Sequence, residues 1–153
     1  MTVLSNSIEI GATPEAVFDY ASDMTNELEW NPKIVSMERL DHGPVTVGSR
    51  YRAEWPGSGP AMVEVTAVER PHRWTSFSRG RGLDIAFEGR VAPAGSGSRL
   101  TVMMDLRPRG VMKVAAPLLA RAMQRTEARN LPALRDAIER RQQTKDLSGP
   151  API

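Results

Sequence analysis

The chain has 153 residues and a mass of 16.8 kDa, the size of one domain that can bury a core without metal or disulfide staples. It contains no cysteine, which excludes disulfides and thiolate metal ligation. Twenty basic residues against 18 acidic ones leave a net charge of +2. So near balance, the pI of 9.4 reflects a small arginine excess and does not demand a nucleic-acid partner. No apolar run approaches the ~20 residues of a membrane span, and the N-terminus lacks the basic and apolar regions of an export signal. The expectation is a cytoplasmic protein with no nucleic-acid partner and no stable membrane insertion.

Val3 to Ile10 reads as a strand, with Leu4, Ile8 and Ile10 on one parity. Thr13-Pro14-Glu15 is a helix start: a hydroxyl cap, proline at the first helical position and an acid at the positive dipole end. Ala16, Val17 and Tyr20 then recur at helical spacing. Ser22-Asp23 ends that helix and caps a second short one over 25–30, which Pro32 stops. From Ile34 the period changes to two. Strands are predicted at 34–41, 48–55, 61–69, 73–80, 83–92 and 98–107, separated by turns rich in Gly, Pro and Asp. Connections this short do not support parallel crossovers and imply an antiparallel meander.

Gly110 to about Arg141 reads as one long helix. Met112, Ala116, Leu119, Met123, Asn130 and Leu134 share its apolar face, and Ile138 continues it. Pro117 lies in its first turns and Pro132 well inside, where a kink is expected over 128–132. Residues 1–143 form the domain in this reading, and 144–153, with Gly and two Pro, a disordered tail. A meander with one long helix has an economical solution, an α+β helix-grip fold. It has a curved seven-stranded antiparallel sheet, two short helices after strand 1 and the long C-terminal helix across the concave face.

Several segments in this order resemble the SRPBCC superfamily of START and pollen-allergen-type proteins, and within it the polyketide cyclase/dehydrase-like group. They are the run from Ile8 to Tyr20, Asp23 to Trp30-Asn31-Pro32, Val47-Gly48-Ser49-Arg50-Tyr51, Glu69-Arg70-Pro71-His72-Arg73-Trp74, and Gly95 to Val102. The resemblance spans about residues 2–142 and implies an internal cavity for lipids, polyketides or other hydrophobic molecules. Fold analogy does not fix the function.

Residue sizes point the same way. The strands carry Ser36, Ala53, Thr66, Ala67, Ser76, Ser78, Ala86 and Gly89, and the long helix Ala115, Ala116, Ala120 and Ala122. Small residues on opposed elements either allow close approach or leave a void. Tyr51, Ala53 and Trp55 share one strand face, and Phe87 with Gly89 and Val91 another, so both sets are placed inward. Met37, Phe77, Leu119, Met123 and Asn130 complete the expected ligand lining. Trp30 belongs either to the mouth or to a staple between the second short helix and the sheet. Of seven spread methionines, Met103 and Met104 cannot both point inward.

His42 and His72 fall in turns, so no metal site and no cofactor is expected. Neither a phosphate loop nor a nucleophile elbow occurs. Asp84, Glu88 and Arg90 read as a solvated face. Tyr51 and Asp105 are the candidate acid/base residues, and Asn130, with Glu127 and Thr126 nearby, marks a polar spot on the long helix. The leading expectation is binding or transport of a hydrophobic small molecule. Two alternatives stay open: a polyketide cyclase, dehydratase or aromatase, and a protein-interaction module. A homodimer also stays open. The enzyme reading requires at least two ionisable side chains converging on one apolar pocket, whereas carriage requires only the pocket.

Overall fold

The computed structural model describes residues 2–147. Seven strands form one antiparallel sheet: β1 (Thr2–Ile10), β2 (Ser36–Arg39), β3 (Arg50–Trp55), β4 (Gly59–Glu69), β5 (Arg73–Arg79), β6 (Leu83–Ala94) and β7 (Gly97–Pro108). Their order is β1-β7-β6-β5-β4-β3-β2. The meander from β2 to β7 is therefore complete, and β1 closes it by pairing with β7 from Thr2–Leu106 to Ile10–Ser98. A register shift between Val65 and Ala67 bends β4 against β5.

The helices begin where the cap chemistry places them. Thr13 accepts a hydrogen bond from the Ala16 amide at 3.2 Å and opens α1 (Pro14–Ala21). Asp23 accepts from the Thr25 amide at 3.1 Å. That bond starts a 3₁₀ turn at Met24–Asn26, which leads into α2 (Glu27–Trp30). The long helix is α3 (Met112–Leu147), and it runs through both Pro117 and Pro132. It also continues four residues past the expected boundary at 143. Between 142 and 147 there is no Gly or Pro to break the backbone pattern. The rest of the expected tail, 148–153, lies outside the described residues.

The core is divided into three clusters. One joins α1, the last turns of α3 and the adjoining ends of β6 and β7 around Val17, Phe18, Trp74, Leu100 and Ile138. A second packs Met37, Tyr51, Ala53, Val63 and Val65 at the β2–β4 edge. The third joins Leu4 and Leu106 to Ala120. Gly89 serves the first cluster by close approach and leaves no void. The Trp74 indole lies across it so closely that an added Cβ would stand 2.4 Å from the ring. Phe18 meets the same indole edge-on at 5.4 Å between centroids, and Phe87 lies 6.0 Å from it.

Candidate functional site

Between the three clusters, the side chains of the concave face and of α3 are only partly buried. Ile85, Phe87 and Met104 point inward from the sheet yet remain only half-buried. Leu119, Met123, Glu127 and Asn130 do the same from α3. A fully packed interior would bury such side chains completely, and the half-buried seam they form between sheet and α3 is the candidate groove. α2 packs against α3 beside it.

α2 has only four residues and is held by side chains. The Tyr20 hydroxyl donates to Glu29 at 2.6 Å, and the Asn26 amide donates to the Tyr20 carbonyl at 2.9 Å. Glu27 is the centre of the arrangement. Its Oε1 accepts from Asn31 Nδ2 at 2.8 Å and from Trp55 Nε1 at 2.9 Å, which ties α2 to the end of β3. Burial pushes its carboxyl above the ordinary range, against the lowering effect of those two donors.

Glu127 faces Glu27 from α3. It has no hydrogen-bond or ion-pair partner among the described residues. Desolvation, with the Glu27 charge adding to it, pushes its carboxyl up to about 7. Two carboxyl groups from different elements, α2 and α3, are thus both raised mainly by burial. Sequence reading included Glu127 as a minor neighbour of Asn130 and missed Glu27. The Glu27–Asn31 spacing of four was a readable signal, but the partner that fixes its role, Trp55, is 28 residues away.

The structure redistributes the other expected site residues. Trp30 is half-buried and packs against the α1–α3 cluster, the staple position. Met37, Tyr51 and Ala53 do face inward, but in the tightly packed second cluster. Tyr51 is fully buried, and desolvation pushes its phenol up to about 12. It therefore stays protonated across the neutral range and, sealed from solvent, is poorly placed as an acid/base. Trp55 ends β3, and Phe87 on β6 and Leu119, Met123 and Asn130 on α3 are half-buried. Thr126 is exposed and bonds back to the Ala122 carbonyl at 3.0 Å.

Phe77 and Asp105 are corrections. Phe77 pairs across the sheet with Ala86, and Ala86 with Asp105. That parity is opposite to Leu4, Leu106 and Met104, which face α3. Both residues thus stand on the convex face, where they line a depression of about 440 Å³ with Ala86 and Met103. Arg79 and Arg107 lie over the Phe77 ring at 5.8 and 5.7 Å, which makes an outward aromatic tolerable. Asp105 accepts from Arg107 Nε at 3.0 Å.

Among the described residues no group of three or more His, Cys, Asp or Glu is placed to hold a metal ion. No described helix is long and apolar enough to cross a membrane.

An antiparallel sheet with a long terminal helix packed on its concave face is the helix-grip fold. The chain belongs to the polyketide cyclase/dehydrase and lipid transport family, whose model matches residues 1–139. Solved structures share the fold. The Zhui aromatase/cyclase of Streptomyces sp. R1128 superposes with a TM-score of 0.77 at 15% identity, over 92% of this chain and 94% of that one. A START superfamily protein of Mycobacterium smegmatis gives 0.74 at 20% identity, over 90% and 97%. TTHA0849 of Thermus thermophilus gives 0.72 at 19%, over 90% and 97%. No curated protein sequence matches significantly.

Proposed function

We propose that the groove binds an apolar small molecule bearing ketone or hydroxyl groups, and that Glu127 exchanges a proton with it in a cyclase- or dehydratase-type reaction. What supports this reading is a buried Glu127 on α3 that feels the Glu27 charge of α2 and has no partner of its own among the described residues. A carboxyl near 7 populates both forms at neutral pH, the condition for efficient general acid/base work. As carboxylate, Glu127 takes a proton from carbon α to a carbonyl. The carbanion attacks a second carbonyl of the same molecule, and Glu127 returns the proton to the oxygen formed. Loss of that hydroxyl with a further α-proton releases water. No cofactor enters the balance. The Zhui structure, described as an aromatase/cyclase, supports this reading by fold alone.

Carriage without chemistry is the second reading. It is favoured by the apolar rest of the lining, Ile85, Phe87, Met104, Leu119 and Met123. Burial of ~300 Å² of ligand contributes about 7 kcal/mol before association costs, so micromolar binding needs no strong polar contact.

The two readings separate in one experiment. A poly-β-ketone is incubated with the wild type and with Glu127→Gln, and products are followed by mass spectrometry. Enzymatic function predicts loss of water by the wild type and unchanged substrate with the variant, both binding the substrate alike. Binding with no conversion by either protein selects carriage. Absence of binding sinks both.

A further inference from the structure

We propose that the β7–α3 junction and the first turns of α3 form a peripheral docking surface for an anionic lipid bilayer. The surface is distinct from the groove, and the inference does not depend on which reaction, if any, the groove performs.

Gly110 (φ +56°) turns the chain out of β7 in the left-handed region that favours glycine, and the tip beyond it is bare. Val111 is 85% exposed, Val114 87% and Leu118 73%. Val114, Leu118, Arg121 and Arg125 fall on one stripe of α3, at helical steps of four, three and four. The opposite side of the same turns carries Met112, Ala116, Leu119 and Met123 toward the sheet. The aliphatic stripe therefore has no use in the fold, where soluble proteins scatter such residues singly.

The charge around it is one-sided. Segments 79–84 and 105–126 hold seven basic side chains and two acidic ones, although the whole chain has a net charge of only +2. The Arg109 guanidinium and amide bond to the Gly80 and Gly82 carbonyls, both at 2.7 Å, and bring the β5–β6 turn alongside the junction. Both acids are engaged, Asp84 with Arg109 at 3.5 Å and Asp105 with Arg107 at 3.0 Å. Arg79, Arg81, Lys113, Arg121 and Arg125 are exposed and have no ion-pair partner among the described residues.

Projecting aliphatic side chains beside unpaired basic ones are the pattern of a helix face that sits at a lipid headgroup boundary. A second copy is disfavoured, because two such surfaces would bring like charges together. A protein partner would need a complementary face against a convex, single-helix ridge, whereas a bilayer yields to it. No described helix can span the membrane, so the contact is superficial.

The test is co-sedimentation of the full chain with vesicles of phosphatidylcholine alone and of phosphatidylcholine mixed with phosphatidylglycerol, at low and high salt. The wild type is expected on the mixed vesicles, at least about tenfold more than on the neutral ones, with release by salt. The double variants Val114→Asp/Leu118→Asp and Arg121→Glu/Arg125→Glu each lose this binding, with circular dichroism unchanged because these side chains are exposed. Absence of wild-type binding to the mixed vesicles overturns the proposal, and so does equal binding by the variants. A dimer that Leu118→Asp dissociates, or capture of an acidic protein, in either case without vesicle binding, assigns the surface elsewhere and overturns it too.

Discussion

The Trp55 indole donates to Glu27 Oε1 at 2.9 Å, and this one bond joins α2 to the end of β3 across the groove. Because Asn31 donates to the same oxygen, Glu27 Oε2 is left without a hydrogen bond among the described residues. The carboxyl is thus held by one oxygen and available through the other.

Replacing Trp55 by Phe removes a donor that favours the ionised form of Glu27. The variant is expected to lose about 1–2 kcal/mol at pH 8, where Glu27 is charged, and less at pH 4, where it is protonated. Urea denaturation at the two pH values measures the difference. An equal loss at both would assign Trp55 to packing alone.

Glu127 gives the protein a specific pH dependence. Its carboxyl titrates near 7 in the fold against 4.5 in the open chain, so the folded state binds the extra proton between those values. Stability therefore falls as pH rises from about 4.5 to about 7. Above that window the charged group costs on the order of 3 kcal/mol. Glu127→Gln removes the cost: the variant is more stable than the wild type at pH 8 and matches it at pH 4. Thermal melts across this range check both the sign and the window.

Gly89→Ala places a methyl group within the Trp74 indole, a rigid ring already packed between Phe18 and Phe87. The strain is expected to cost about 1–3 kcal/mol, read by urea denaturation. A neutral result would mean that the ring can move aside.

The two faces of the sheet separate by mutation. Phe87→Ala and Met104→Ala alter the affinity of a fluorescent apolar probe, because both side chains line the groove. Phe77→Ala leaves it unchanged. Probe titration checks the assignment, and an effect at Phe77 equal to that at Phe87 would relocate the site to the convex face.

Most of the fold was legible because its signals are local. Thr13-Pro14 and Asp23 cap the helical turns directly after them, and the period-two runs stand between turns that admit no crossover. Phe77 was misplaced although strand parity was available: with Trp74 inward, Phe77 three residues on must point outward. Its hydrophobicity argued for the interior, and the arginines that cover it come from its own strand and from β7, a pairing no local pattern reveals. Tyr51 was legible as inward but not as sealed, since the packing of Met37 and Val63 around it depends on strand register. Glu27 escaped because its environment is assembled from β3 and α3. The helical course of residues 144–147 was hidden by the Gly and Pro that follow in the sequence, which coloured the reading of that stretch.

The most direct measurement is a carbon-detected NMR titration of the glutamate carboxyls, with and without an apolar ketone added. A Glu127 that exchanges protons with a bound ketone titrates near 7, and its midpoint moves when the ketone binds. A Glu127 midpoint in the ordinary carboxylate range, unmoved by the ketone, would contradict the site.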